Sequence, residues 1–160
     1  MYKLFFLLLT VLFLLTGCRD KCDSEPEFNV DQDQLAADII KIDAFLEGKN
    51  IDAEIHPSGI RYEIKREGTG DRPKLCDNIV ASFGGNLISN GFEFSPNDGV
   101  PVSLGTLDGL IPGWQFGIPL IKQGGRVVLY IPSVYGYGVE GRPDGGIPSN
   151  ANLEFEILLF

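Results

Sequence analysis

Histidine and basic residues are scarce in this chain of 160 residues. Thirteen Lys and Arg side chains stand against twenty-two Asp and Glu, so the formal net charge is −9. Nucleic acid is therefore not expected as a partner, because phosphate binding requires clustered basic side chains. His56, the only histidine, is expected to be a solvated loop residue, and neither Cys22 nor Cys76 has metal-ligand spacing with it. The sequence thus predicts no metal and no cofactor.

The sequence also lacks a hydrophobic run long enough to span a membrane. Lys3 precedes an apolar stretch over residues 4–15, which is shorter than the roughly 20 residues of a spanning helix. A basic start, a short apolar segment and small residues at its end are typical of a signal peptide. The ending, Leu15-Thr16-Gly17-Cys18, resembles the bacterial lipobox, in which the cysteine is acylated. We expect residues 1–17 to be removed and Cys18 to anchor the chain through lipid; the alternative is an ordinary secretory peptide with an incidental cysteine.

Residues 18–30 are polar and acidic and contain Pro26, which predicts an acylated, flexible tether. Cys22 lies in this tether, and an oxidising envelope compartment would allow it to pair with Cys76. Connectivity cannot be deduced from sequence, so both the paired and the free state stay open. The predicted location is the bacterial cell envelope, at the periplasmic face or outer surface of a membrane.

Residues 31–57 are predicted to form an N-terminal amphipathic helix followed by a linker. An apolar stripe at helical spacing runs through residues 31–47 and consists of Leu35, Ile39, Ile42 and Leu46, widened by Ala36, Ile40 and Phe45. Asn29 or Asp31 is the candidate N-cap, and Gly48 is the candidate C-cap. The stripe has to be buried, either against the domain that follows, which we favour, or in a dimer.

Residues 58–160 carry the pattern of an antiparallel α+β domain. Alternating or β-branched apolar segments predict strands at residues 60–65, 79–83, 92–94, 102–104, 126–131 and 152–158. Asn90-Gly91 is a hairpin turn signal between the second and third of these strands. One short helix begins near Pro112, whose missing amide hydrogen suits a helix entry. The expected fold is an antiparallel sheet with this helix against one face.

Trp114, the only tryptophan, begins that helix and comes shortly after two branched aliphatic residues, Leu110 and Ile111. An indole in this position is either ordinary core packing or the floor of an apolar pocket. Tyr137 lies in a glycine-rich loop, and an exposed aromatic residue in a loop often contacts a ligand. The two aromatic residues together favour the pocket.

Several separated motifs share their order and spacing with one protein family. They are Ser58-Gly59-Ile60, Gly68-Thr69-Gly70, Val80-Ala81-Ser82-Phe83-Gly84-Gly85, Asn90-Gly91-Phe92-Glu93-Phe94, Ile111-Pro112-Gly113-Trp114, Tyr135-Gly136-Tyr137-Gly138, Ile147-Pro148 and Leu153-Glu154-Phe155-Glu156-Ile157-Leu158. In this order they resemble an FKBP-type peptidyl-prolyl cis-trans isomerase, a macrolide-binding immunophilin, over about residues 58–160. The N-terminal helix resembles that of envelope lipoprotein members. The resemblance implies a twisted antiparallel sheet wrapped around one short helix.

The resemblance also implies which residues form the site. The catalytic positions correspond to Phe83, Phe94, Trp114, Tyr137 and Phe155, and the substrate-binding positions to Ser95, Val102, Leu110, Ile111 and Ile147. Trp114 would be the floor under a proline ring, the Ile111 amide would donate to a ligand carbonyl, and the Tyr137 hydroxyl would reach a substrate carbonyl. Phe83 stands where the family usually has tyrosine and Ser95 where it has aspartate, so a phenol and a carboxylate are missing.

By this resemblance the chain is expected to be a peptidyl-prolyl cis-trans isomerase that assists the folding of cell-envelope proteins. Its partners would be proline-containing polypeptides and macrolide inhibitors of the tacrolimus or rapamycin type. Such catalysis needs no acid, base, nucleophile or metal, because an apolar site penalises the planar amide more than the twisted one. The alternative is a non-catalytic prolyl-peptide-binding chaperone or interaction lipoprotein, which Phe83 and Ser95 keep open.

Overall fold

The computed structural model describes residues 21–160, which contain seven β-strands and two α-helices. The strands are β1 (Glu54–Ile55), β2 (Arg61–Arg66), β3 (Asn78–Leu87), β4 (Glu93–Ser95), β5 (Val102–Thr106), β6 (Arg126–Ile131) and β7 (Leu153–Leu159). The helices are α1 (Gln32–Lys49) and α2 (Pro112–Gly117). Within this range, neither helix combines the length and the apolar character that crossing a bilayer requires. The expected signal peptide, residues 1–17, and the expected acylation site, Cys18, lie outside the described residues.

All seven strands of the described range join in one antiparallel sheet. The strand order is β1-β2-β6-β7-β3-β4, and β5 also pairs with β3. The long strand β3 pairs with β7 along one edge, while β5 and β4 share its other edge. The predicted fold class, α+β with an antiparallel sheet and one short helix against it, is confirmed.

Two glycines bring helix α2 directly onto the inner face of the sheet. A Cβ atom at Gly113 would overlap the side chain of Ile131, and one at Gly117 would overlap Leu129. Ile131 and Leu129 both belong to β6, so α2 lies across the middle of the sheet. Trp114, between the two glycines, is held close to the sheet by this contact.

Helix α1 packs on the same domain through the central residues of its apolar stripe, whereas Ile40 at the side of the stripe is 70% exposed. Leu35, Ile42 and Leu46 are buried, and Ile39 is partly buried. Ile42 shares a buried cluster with Tyr130 of β6. Because side chains alternate along a strand, this cluster lies on the face of β6 opposite to the one that contacts α2. The sheet is therefore covered by α2 on the inner face and by α1 on the outer face.

At the ends of α1, the predicted N-cap is confirmed, whereas the predicted C-cap lies two residues before the observed one. Asp31 caps the N-terminus, because its Oδ1 accepts hydrogen bonds at 3.0 Å from the backbone N of Asp33 and Gln34. The prediction of Gly48 as C-cap is wrong. The helix ends at Lys49 and its C-cap is Asn50, which adopts the left-handed region (φ 53°, ψ 42°), and a left-handed residue of this kind ends many helices.

The N-terminal segment, residues 21–30, lies against the domain, so the flexible tether predicted there is wrong over this part. Cys22 and Cys76 form a disulfide that fastens the segment just before β3. The Phe28 ring meets Phe116 of α2 edge-to-face, with the ring centres 5.6 Å apart. The chain therefore enters the domain at a position fixed by a covalent bond and by packing.

The linker predicted before residue 58 contains more structure than expected. Residues 54–55 form β1, and His56 is half-buried rather than solvated. Its Nδ1 lies 2.9 Å from Ser58 Oγ, and its ring centre lies 5.5 Å from that of Phe116. Burial lowers the pKa of His56, while the nearby Glu25 acts in the opposite direction.

Charged side chains of β7 lie on the outer face of the sheet. Glu154 and Glu156 alternate with Phe155, which is buried on the inner face. Burial raises the pKa of Glu154, and the neighbouring Glu156 raises it further. Arg126 forms an ion pair with Glu156. These acidic groups are thus separated by the sheet from the apolar inner face on which α2 lies.

Candidate functional site

A cavity of about 340 Å³ opens on the inner face of the sheet beside the start of α2. Strands β3, β4, β5 and β7, the N-terminus of α2 and the loop between β6 and β7 supply its lining. The lining residues are Phe83, Phe94, Ser95, Leu104, Leu110, Ile111, Trp114, Tyr137, Arg142, Gly145, Ile147 and Phe155. Most of this surface is aromatic or aliphatic, which suits an apolar ligand.

Four aromatic rings form the inner part of the cavity. Trp114 and Phe155 are 4% and 2% exposed, and their ring centres are 5.2 Å apart at 89°. Phe83 meets Trp114 at 4.9 Å and 83°, and Phe94 meets Phe155 at 5.4 Å and 79°. Edge-to-face pairs contribute about 0.5–1.5 kcal/mol each beyond the area they bury. The rings therefore hold one another in place and give the cavity a fixed shape.

Three hydrogen-bonding groups at the cavity have no acceptor or donor elsewhere in residues 21–160. They are the backbone N–H of Ile111, the hydroxyl of Tyr137 and the buried Nε1 of Trp114. Ile111 immediately precedes the first turn of α2, where backbone N–H groups have no partner inside the helix. The Ile111 N–H and the Tyr137 hydroxyl remain available to the polar atoms of a ligand in an otherwise apolar site, whereas Trp114 Nε1 is buried without a partner.

The structure brings together nine of the ten predicted site residues. Val102 is the exception: it does not line the cavity and is 42% exposed. Leu104, two residues further along β5, lines the cavity instead. Val102 is the first residue of a strand at the edge of the sheet, and alternation places both residues on the same face. The strand was correctly predicted, whereas the position along the strand was not.

Three lining residues, Leu104, Arg142 and Gly145, were missed by the sequence reasoning. Arg142 lies in the loop after Tyr137, and its guanidinium carbon is 6.0 Å from the centre of the Tyr137 ring. Two backbone hydrogen bonds with Ile147, at 2.8 and 3.0 Å, close this loop at the cavity mouth. The available signal was sequence proximity, because Arg142 lies between two predicted site residues.

The lining provides binding groups but no set of residues for covalent or acid–base chemistry. Arg142 is its one charged member, and the lining contains no His, Asp, Glu or Lys side chain that could act as a base for Ser95. No group of three or more His, Cys, Asp or Glu side chains in the described range is arranged to hold a metal ion. What the site offers is a rigid aromatic cavity with a few free hydrogen-bonding groups.

A family model for the FKBP-type peptidyl-prolyl cis-trans isomerases matches residues 70–160, more than half of the chain. The chain belongs to this family. Its cavity is formed within the matched residues, since every lining residue lies between Phe83 and Phe155. The recognition made from the sequence motifs is thereby confirmed.

Proteins similar to this FKBP-type chain come from several bacteria. The FKBP-type peptidyl-prolyl cis-trans isomerase FkpA of Escherichia coli K12 is 41% identical over 103 residues, which are 64% of this chain and 37% of FkpA. FkpA of Buchnera aphidicola is 42% identical over 112 residues, 69% of this chain and 43% of the relative. The chain therefore spans well under half the length of these relatives.

Solved structures agree with the FKBP-type fold. The crystal structure of FkpA from Escherichia coli superimposes with a TM-score of 0.66 at 34% identity, covering 80% of this chain and 60% of FkpA. A peptidyl-prolyl cis-trans isomerase from Pseudomonas syringae gives a TM-score of 0.65 at 26% identity, covering 84% of this chain and 97% of that one. The second comparison covers nearly the whole of its partner.

Proposed function

We propose that this chain is a peptidyl-prolyl cis-trans isomerase that assists the folding of cell-envelope proteins. The observation that carries the proposal is the aromatic cavity, which is lined by Trp114 and Phe155 and also by Ile111 and Tyr137, whose N–H and hydroxyl groups have no partner in the described residues. A proline ring is apolar and compact, whereas the amides on either side of it are polar. The aromatic rings of the cavity are complementary to the proline ring, and its free N–H and hydroxyl groups are complementary to the flanking amides.

The proposed mechanism lowers the barrier without covalent chemistry. Rotation about an X–Pro bond is opposed by amide resonance, with a barrier of about 18–20 kcal/mol. Resonance and much of the amide dipole are lost in the twisted state, so an apolar cavity favours that state over the planar one. The Ile111 N–H and the Tyr137 hydroxyl would hold the flanking carbonyl groups in a bent geometry. Uncatalysed exchange takes tens to hundreds of seconds, which is slow enough to limit folding.

The test is the rate of cis-to-trans exchange in a short X–Pro peptide, measured with the full chain in detergent. We expect the observed rate to rise in proportion to protein concentration, and Trp114→Leu to remove most of the increase. A rate equal to that in buffer, with Trp114 fluorescence still changing on peptide addition, would contradict catalysis. That result would favour the second candidate, a non-catalytic prolyl-peptide-binding protein, to which the absent phenol at Phe83 and the absent carboxylate at Ser95 point.

The proposed setting of this activity is the outer part of a bacterial cell. The lipobox-like sequence ending at Cys18 supports lipid anchoring to a membrane, and the Cys22–Cys76 disulfide suits an oxidising compartment. Proline-containing polypeptides are the proposed substrates. Macrolides of the tacrolimus or rapamycin type are proposed inhibitors, because they would occupy the same apolar cavity.

Arg142 gives the proposed substrate site a preference for acidic residues next to proline. Its guanidinium lies at the cavity mouth, and it has no carboxylate partner within residues 21–160. Exposed ion pairs contribute about 0.2–1 kcal/mol. We therefore expect kcat/KM for Glu–Pro peptides to exceed that for Lys–Pro peptides by about two- to fivefold at low salt.

The matched variants for this preference are Arg142→Gln and Lys41→Gln, which remove the same charge. Lys41 is exposed on α1 and does not line the cavity. Arg142→Gln is expected to bring the ratio of kcat/KM for Glu–Pro peptides to kcat/KM for Lys–Pro peptides close to one. Lys41→Gln should leave this ratio unchanged. An undiminished ratio in Arg142→Gln would contradict a role for this residue in selection.

A further inference from the structure

A buried carboxylate of helix α1 reaches the loop that leads to the cavity. Asp38 is fully buried, although the other buried residues of α1 are apolar. Its Oδ2 accepts hydrogen bonds from the Ser133 hydroxyl at 2.5 Å and from Ser133 N at 2.9 Å. Its Oδ1 accepts one from Gln34 Nε2 at 2.8 Å. Burial of a carboxylate is costly unless hydrogen bonds replace those it makes to water. The hydrogen bonds from Ser133 therefore offset the cost of removing the Asp38 carboxylate from water.

Ser133 in turn holds the backbone on both sides of Tyr137. It follows β6 and opens a short 3-10 turn, Ser133–Tyr135. Its carbonyl oxygen accepts hydrogen bonds from Gly136 N at 3.0 Å and from Gly138 N at 2.9 Å. Tyr137 lies between these two donors and forms part of the cavity wall. A shift of Ser133 would therefore move the backbone that carries the Tyr137 ring.

Asn152 links the same carboxylate-bearing helix to the strand that carries Phe155. Its Oδ1 accepts a hydrogen bond from Ser133 N at 3.0 Å, and its Nδ2 donates to the backbone oxygen of Asp38 at 3.4 Å. Asn152 is buried and directly precedes β7. Asp38, Ser133 and Asn152 thus form one buried hydrogen-bonded group behind the cavity wall.

We propose that Asp38 is a positioning residue for the Tyr137 wall of the cavity. Asp38 does not line the cavity, and it lies outside the residues 70–160 that match the family model. Helix α1 would therefore contribute to the site through Ser133, beyond covering the outer face of the sheet. Removal of the carboxylate leaves the Ser133 N–H and hydroxyl with fewer buried partners, which favours a rearranged loop. The kinetic part of this inference rests on the proposed isomerase function, whereas the placement of Tyr137 does not.

The kinetic test compares Asp38→Ala with Ile42→Ala in the full chain. Both remove a fully buried side chain of α1, but Ile42 belongs to the cluster around Tyr130 and makes no hydrogen bond to Ser133. At a temperature where near-UV circular dichroism shows both variants folded, we expect Asp38→Ala to lower kcat/KM about tenfold. Ile42→Ala should retain the kcat/KM of the unmodified chain. Equal kcat/KM in the two variants would overturn the inference.

A double-mutant cycle with Tyr137→Ala, which removes both the ring and the hydroxyl, separates positioning from general destabilisation. If Asp38 acts through the Tyr137 side chain, Asp38→Ala should cost less than about twofold once that side chain is absent, because the two effects are then coupled. The same tenfold loss in both backgrounds would overturn the inference. Ser133→Ala, which removes only the hydroxyl partner, provides the same cycle if Asp38→Ala does not fold.

A spectroscopic test does not depend on catalysis. The NMR signals of a labelled Tyr137 ring are expected to shift in Asp38→Ala and to stay in place in Ile42→Ala. Unchanged Tyr137 signals in Asp38→Ala would overturn the positioning role. If the unmodified chain fails to accelerate prolyl exchange, the proposed function fails, and this measurement still decides the placement of Tyr137.

Discussion

Replacing Gly85 with alanine is expected to lower kcat/KM for prolyl exchange by at least about tenfold. A Cβ atom at this position on β3 would lie 2.5 Å from Phe94 Cζ and 2.9 Å from Phe155 Cε1. Both rings line the cavity, so relief of the overlap displaces them and changes the shape of the space proposed for a proline ring. Overpacking typically costs about 1–3 kcal/mol, and a tenfold loss requires only about 1.4 kcal/mol of it to act on the transition state.

Gly84→Ala is the matched control for Gly85→Ala. The two glycines are neighbours on β3, and a Cβ at Gly84 would lie on the opposite face, 2.9 Å from Asn97 Cβ. The tight contacts of this Cβ are with Asn97, and the backbone oxygen of Ser95 lies at an ordinary 3.4 Å, so the control crowds a residue that does not line the cavity. We expect it to lower stability while leaving kcat/KM close to that of the unmodified chain. A folded Gly85→Ala variant with unmodified kcat/KM would contradict the assignment of the cavity as the active site.

Removal of the Cys22–Cys76 disulfide is expected to lower the free energy of unfolding by about 2–4 kcal/mol. The bond joins residues 54 apart in sequence, and cross-linking a loop of this length restricts the unfolded chain strongly. At about 2–4 °C per kcal/mol for a chain of this size, Tm should fall by roughly 10 °C. Thermal and denaturant unfolding of the Cys22→Ser/Cys76→Ser variant measures this loss.

The control for the disulfide is chemical reduction of the unmodified chain, which should reproduce the loss seen in the serine variant. Neither cysteine lines the cavity, so kcat/KM at low temperature should change less than twofold in both samples, within about 0.4 kcal/mol. An unaltered unfolding midpoint after reduction would contradict a stabilising role for the bond.

The fold was largely predictable where one pattern dominates a segment. The β-branched run at residues 126–131 coincides with β6, and the Asn90-Gly91 turn joins β3 to β4 as predicted. Local signals failed where two nearby residues are both suited to the same structural role. Gly48 and Asn50 are both suited to end a helix, and the choice of Asn50 follows from the hydrogen bonds of the last turn.

Features that depend on distant contacts were not predictable from local pattern. The polar composition of residues 21–30 is typical of a tether, yet Cys22 bonds to Cys76 and Phe28 packs on Phe116. Similarly, nothing near Asp38 in the sequence indicates that Ser133 is its partner. The composition of a segment indicates whether it tolerates exposure to water. It does not indicate which distant residues the segment contacts, because those contacts depend on where the segment lies in the folded domain.

The candidate site was predicted mainly through the family resemblance, and its errors have a physical origin. Aromatic positions such as Trp114 and Phe155 were correctly placed, because their motifs have fixed spacing. Val102 was wrong by two residues in an edge strand, because Val102 and Leu104 lie on the same face and alternation alone does not choose between them. Arg142 was missed because a single charged residue in a loop gives no periodic signal.

Exchange spectroscopy on one X–Pro peptide at equilibrium tests the central claim most directly. It measures interconversion of the cis and trans forms without a coupled protease, in the presence of the full chain, Gly85→Ala or Gly84→Ala. We predict faster interconversion with the unmodified chain and with Gly84→Ala, and a rate close to that of free peptide with Gly85→Ala. Equal rates for the unmodified chain and free peptide would contradict the account.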